Sequence, residues 1–242
     1  MKTRLAALLI GGALSSALGE EYTVYFQQGT NSAAMVRMLA PLRAAVPGAE
    51  CRYVVLDDEA ETMAAAINSA NALKAGVSEL PSLVISDERG AYASIPLPRL
   101  NAAALETAKA AATAPDRDQQ ARQRNFEAQQ YLLFARMALI SPLEGETLQQ
   151  CLSTCRALME HPFATQADKQ RLGFHCLYPL LMREYTNMYT GAHTPASEAK
   201  LLEAIAALET ARDLDRNSDI GKKAHTERER LRTARRQART ME

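Results

Sequence analysis

Four cysteines, Cys51, Cys151, Cys155 and Cys176, are the only thiols in the chain. They bound the nucleophilic, redox and metal chemistry open to it, because a thiol reacts or ligates only as its thiolate. Four thiols in an oxidising compartment allow three fully paired connectivities. Cys151 and Cys176 lie about equally far from an expected helix–helix turn near residue 163, so they should face each other and form the favoured disulfide. Cys151 and Cys155 are four residues apart on one expected helix, a poor disulfide geometry, but an exchanging pair there is the alternative. Cys51 lies in a different region and reads as a buried thiol.

The four histidines, His161, His175, His193 and His225, lack the i, i+4 spacing of a helical metal site. His175 beside Cys176 could join Cys155 as ligands, but a half-buried helix histidine is the plainer reading. No metal or cofactor is expected. From Lys222 onward there are eight basic and three acidic residues. Cations late in a helix complement its dipole, and the interspersed Glu227 and Glu229 suggest a solvated face. An acidic surface or polymer is the alternative partner for that tail. It has no interleaved aromatics to stack bases. Lys+Arg 28 against Asp+Glu 28 also argues against a protein built to grip nucleic acid.

Over 242 residues, 47% are hydrophobic and 23% charged, a composition that excludes disordered and membrane-embedded classes. The length allows one large domain or two small ones, and 44 alanines favour closely packed helices. The first 19 residues read as a secretory signal: Lys2 and Arg4, the apolar run Leu5–Leu14, then Ala17-Leu18-Gly19 before cleavage. Removing them leaves 26 basic against 28 acidic residues. No later stretch reaches the roughly 20 apolar residues of a spanning helix. The expected product is exported, periplasmic or secreted, with no membrane span in the mature chain.

Residues 20–114 alternate strand and helix. Tyr22, Val24 and Phe26 recur at period two in a first strand. Ser32 is a candidate cap for a helix carrying Met35, Met38, Leu39 and Leu42, ended by Pro47-Gly48. Cys51–Leu56 is nearly continuous in apolar character, as a central parallel strand would be. Asp57-Asp58 could cap a helix running toward Leu73 and Gly76. A hairpin follows, with strands at Leu83–Ile85 and Ala91–Ile95 around Asp87-Glu88-Arg89-Gly90. A last helix covers about 101–112. The order is β-α-β-α-β-β-α.

This order, with Gly76-Val77-Ser78-Glu79-Leu80-Pro81-Ser82-Leu83-Val84 entering the hairpin, resembles thioredoxin over residues 20–113. The resemblance implies a cis-proline at Pro81 and makes Pro41 the kinking proline of the first helix. It also shows what is missing. Thioredoxins carry two cysteines, two apart, at that helix start; here those positions hold Ala33-Ala34-Met35-Val36, and the buried family aspartate is Tyr25. Dithiol exchange at the usual site is excluded. What remains is a cleft surface: the helix start Thr30, Asn31 and Ser32, and the segment Glu79, Leu80 and Pro81, whose backbone would pair with an extended peptide. The other reading of that cleft is a vestige that only packs against the second domain.

Residues 115–242 read as all-helical, with helices at about 117–140, 143–160, 166–189, 196–214 and 218–239. Phe126, Gln129, Leu133, Met137 and Ile140 form the apolar stripe of the first. Ala204, Leu208 and Ala211, followed by Leu214-Asp215-Arg216-Asn217-Ser218, resemble the second helix and exit turn of a tetratricopeptide repeat, with Arg216 at the usual proline. Cys151, Cys155 and Leu158 share that spacing, but their offset does not match the 34-residue repeat, which favours an irregular helical-hairpin array. A thioredoxin-like domain before a helical one also resembles the glutathione transferases. Their acidic-serine pair is absent beside Tyr92-Ala93-Ser94.

The expected function is a non-catalytic protein-binding or chaperone-like module with protein or peptide partners. The alternatives are a thiol-disulfide oxidoreductase using Cys151 and Cys155, a glutathione-transferase-like enzyme using the Thr30–Ser32 helix start, and a structural part of an envelope assembly.

Overall fold

Alternation along β1 (Glu21–Gln27) sends Tyr22 and Val24 to one face of the sheet and Tyr25 to the other, into separate apolar clusters. A computed structural model describes residues 19–57, 61–189 and 194–240, with nothing described of the side chains of 238–240. The expected export signal lies outside the described residues except for Gly19, as do Asp58 and His193. Residues 19–57 and 72–121 form one compact unit, and residues 61–71 and 122–240 the other.

The first unit holds a four-stranded mixed sheet of β1, β2 (Cys51–Leu56), β3 (Ser82–Asp87) and β4 (Gly90–Pro96), in the order β2-β1-β3-β4. β1 pairs parallel with β2, Val24 opposite Tyr53, and antiparallel with β3, Val24 opposite Leu83. β3 and β4 pair antiparallel around Glu88-Arg89. The expectation of a central β2 is overturned: β2 is an edge strand, with Tyr53 and Val55 exposed at 46% and 43%. The β3–β4 hairpin takes the far side of β1, so β1 and β3 are central. An apolar run alone does not distinguish the two places.

Three helices and the last residues of a fourth, the third in chain order, belong to the sheet unit. α1 (Ser32–Met38) is capped by Asn31, not Ser32: the Asn31 side chain accepts from the Ala34 N–H at 3.1 Å. The helix then restarts as α2 (Ala40–Ala45), with Pro41 in its first turn, where a missing N–H is harmless. α3 (Met63–Lys74) is led by Thr62, whose hydroxyl accepts from the Ala65 N–H at 3.2 Å. It starts too late for Asp57 to cap it. α4 (Ala102–Ala112) is capped by Asn101.

Two polar ties close the sheet unit. Glu20 accepts from the hydroxyls of Tyr22 at 2.6 Å and Tyr92 at 2.7 Å. Arg117 is buried, holds Asp87 with two hydrogen bonds, and donates to the carbonyls of Gly90 at 2.9 Å and Ala112 at 3.0 Å. Its guanidinium also lies over the Tyr92 ring. Arg117 therefore ties the hairpin turn to the end of α4.

The remaining helices are α5 (Arg117–Leu139), α6 (Gly145–Glu160), α7 (Gln166–Leu172), α8 (Tyr178–Met188), α9 (Pro195–Leu214) and α10 (Asp219–Thr240). The expected single helix over 166–189 is interrupted by a π-helical turn at Gly173–Leu177 that joins α7 to α8. On α5, Phe126 and Leu133 are buried as expected, but Gln130 is buried in place of Gln129. Cys151, Cys155 and Leu158 are buried, and so are Ala204, Leu208 and Ala211. Small residues let the π turn approach α9: a Cβ on Gly173 would lie 3.5 Å from the Ala211 Cβ. Gln170 clasps the α9 exit turn, donating to the carbonyls of Ala211 and Asp215, both at 2.8 Å, and accepting from the Ser218 hydroxyl. The basic tail keeps the expected solvated face, with Lys222, Lys223, Glu229, Arg230 and Arg236 exposed, and turns three other arginines onto α9. Arg228 and Arg232 meet Glu209, and Arg235 meets Glu198 at 2.7 Å.

Candidate functional site

The cleft residues come from two segments of the sheet unit. Thr30 turns back on the end of β1, its hydroxyl donating to the Gln27 carbonyl at 2.7 Å. Asn31 spends its side chain on the cap, and Ser32 is exposed at the first position of α1. The residues that follow are Ala33, Ala34 and Met35, so the helix start offers backbone N–H groups and hydroxyls but no thiol.

In the second segment the Leu80–Pro81 peptide bond is cis. The Glu79 carbonyl accepts from the Ser82 hydroxyl at 2.6 Å, and the Pro81 carbonyl accepts from the Leu97 N–H at 2.8 Å. Between them the half-buried Leu80 keeps both its backbone N–H and its carbonyl without a partner among the described residues. Exposed Glu79 pairs with exposed Arg99 at 3.2 Å. No hydrogen bond joins the two segments directly among the described residues. They are linked through the 3-10 turn Leu97–Arg99, which packs on α1 and bonds to Pro81 and Glu79. Sequence reading missed that turn. Its only signal is Leu97-Pro98-Arg99 directly after the returning strand.

Tyr25, at the position the thioredoxin resemblance gives to an aspartate, is buried among Leu56, Ala72, Ala75 and Val84. Burial raises its phenol, with Arg52 pulling weakly the other way. It is a space-filling neutral group at neutral pH, unsuited to relaying protons.

The cysteines sit elsewhere. Cys51 is half-buried on β2, its thiol raised by burial against the opposing pull of Arg43. Cys151, Cys155 and Cys176 are each 0% exposed in one apolar cluster of the helical unit, and all four thiols are free. Cys176 shares that cluster with both Cys151 and Cys155, and its interaction with Cys155, together with burial, raises its thiol; it stands in the π turn rather than in a regular helix. Burial also raises the Cys151 thiol. Thiols without exposure and with raised pKa are poor nucleophiles.

His175 lies edge-on to Phe174 and is lowered by burial, then by Lys223 and Arg171. His161 stacks on Phe126 at 4.7 Å between ring centres. Among the described residues no three His, Cys, Asp or Glu side chains are grouped to hold a metal ion. No helix among them is long and apolar enough to cross a membrane. Comparison with protein-family models, curated proteins and solved structures found no match.

Proposed function

We propose that the chain is an exported, non-catalytic protein-binding module. In this reading a thioredoxin-like domain without redox cysteines, followed by a helical, tetratricopeptide-like domain, holds extended segments of client proteins. The observation that carries it is the free backbone of Leu80, one donor and one acceptor at the lead-in to β3. Unpaired, accessible backbone next to a sheet recognises an extended peptide by main-chain hydrogen bonds. The strand order β2-β1-β3-β4, with one parallel and two antiparallel pairs, agrees with a thioredoxin-like fold. The buried Ala204, Leu208 and Ala211 stripe agrees with repeat-like helix packing. The oxidoreductase alternative is disfavoured by three thiols that solvent does not reach.

The test is anisotropy of a fluorescently labelled, permanently unfolded polypeptide titrated with the protein. Binding should survive alkylation of the thiols. It should weaken about tenfold or more, roughly 1.4 kcal/mol, in Ser32→Tyr, which fills the cleft mouth without removing an internal contact. No binding, or catalysed insulin reduction abolished by alkylation, would refute the reading.

A further inference from the structure

The two edges of the sheet are built differently. β4 is a guarded edge: its register with β3 shifts between Ile85 and Ser86, it ends in Pro96, and α4 packs against it, with Tyr92 and Ile95 buried. A bulge, a terminal proline and a covering helix are devices that keep an edge from pairing with another chain. β2 has none of them. Its six residues run in unbroken register with β1, from Cys51 opposite Tyr22 to Leu56 opposite Gln27. Among the described residues, no backbone hydrogen bond reaches residues 51–56 from any segment but β1. Tyr53 and Val55 lie exposed on one face of this strand, and the Tyr53 ring meets the Phe26 ring of β1 edge-on at 6.5 Å. An open ladder and two exposed apolar side chains coincide on the same strand.

We propose that β2 is a homodimer interface, pairing antiparallel with β2 of a second copy about a two-fold axis at Val54. In that register the strand is complementary to itself. Tyr53 falls opposite Val55 of the second copy, and Val55 opposite its Tyr53, so each exposed side chain gains an aromatic–β-branched partner on its own face. Arg52, the one charge in the strand, falls opposite Leu56, so no like charges meet. Sliding the register by two residues loses both pairs, because Tyr53 then meets either Tyr53 or Asp57. The order β4-β3-β1-β2 of one copy continues into β2-β1-β3-β4 of the other, one eight-stranded sheet whose two remaining edges are both the guarded β4. An unrelated extended segment would satisfy the same backbone groups, but only a second copy supplies both side-chain pairs and leaves no unguarded edge. The interface is small, one six-residue strand from each copy, so the dimer is a weak one.

Sedimentation equilibrium of the purified protein from about 1 to 500 µM tests the pairing. The expected result is a reversible monomer–dimer equilibrium, with the weight-average mass approaching twice that of the chain. Tyr53→Lys and Val55→Lys change exposed positions. Each should leave the circular dichroism and Tm of dilute protein unchanged and weaken association about tenfold or more. Tyr53→Lys combined with Val55→Glu sets opposite charges across both pairs and should associate more tightly than Tyr53→Lys alone. Tyr53→Lys combined with Val55→Lys sets like charges there and should stay monomeric. Ser32→Tyr, which alters the cleft, should dimerise as the wild type does. A wild-type monomer throughout, a dimer indifferent to both lysines, or equal association of the two double variants overturns the proposal. A monomer whose binding of an unfolded polypeptide is lost in Tyr53→Lys also overturns it, and gives the edge to a client segment instead.

Discussion

The sheet unit exposes a candidate cleft that carries no thiol, and the helical unit holds three thiols that solvent does not reach. At the cleft, Ser32, Glu79 and Arg99 are open to solvent and Leu80 has unpaired backbone, yet no thiol stands there. In the helical core three thiols share a cluster that solvent does not enter. The two units also cohere differently. Charged and phenolic groups around Glu20 and Arg117 tie strands to helix ends. Glycine, alanine and cysteine instead bring helices together at Gly173, Ala211 and Cys155.

The sharpest way to break that contrast is at Gly221. A Cβ there would fall 2.0 Å from the Asp215 carbonyl oxygen in the clasped turn between α9 and α10. Gly221→Ala should cost the helical unit about 3 kcal/mol or more, and hydrogen exchange should show the loss confined to that unit. Wild-type protection would mean that close packing does not hold it.

Next in size is the Arg117–Asp87 pair. Arg117→Met leaves a partly buried carboxylate without its partner and should destabilise the sheet unit by about 3 kcal/mol in urea titrations. The paired guanidinium holds the Asp87 carboxyl below its usual range. The stability this adds is complete above the unfolded pKa of about 3.9 and is lost as pH falls through the lower folded value. Asp87→Asn should flatten that acid limb, and an unchanged limb would remove the pair from the account.

Tyr22→Phe and Tyr92→Phe should each cost about 1–2 kcal/mol by removing a hydrogen bond to the Glu20 carboxylate. Burial and that bond raise both phenols. In an absorbance titration both should ionise well above the ordinary value of about 10, and each variant should remove one such transition. The smallest effect belongs to Arg235→Ala. Its ion pair with Glu198 is partly exposed and should contribute no more than about 0.5 kcal/mol in thermal melts. A larger loss would mean that the tail, like Arg117, is a polar tie.

Helix positions were legible because their signals are local. Pro115, Ser141-Pro142, His161-Pro162 and Thr194-Pro195 all stand at or near helix ends. The caps were less legible: Asn31 and Thr62 took the roles expected of Ser32 and Asp57-Asp58, since any side-chain oxygen near the helix start competes for the same N–H groups. The π turn at Gly173–Leu177 was not legible, because no residue type within it marks a change of helical hydrogen-bond register. Of the cleft, the six expected residues lie on their two expected segments. The linking turn with Leu97 and Arg99 was missed because its partners lie far back in the chain.

Taken by itself, the sequence determined the alternation of elements over residues 20–114, the helices that follow, and the absence of thiols from the first 50 residues. These depend on periodicity, punctuation and composition, which neighbouring residues encode. Tertiary structure alone decided that β2 lies at the edge and that Arg117 is buried on Asp87. It also decided that three tail arginines close onto α9. Each of these joins residues distant in the chain, and only the packed geometry of strands and helices sets which of several chemically equivalent partners comes within reach.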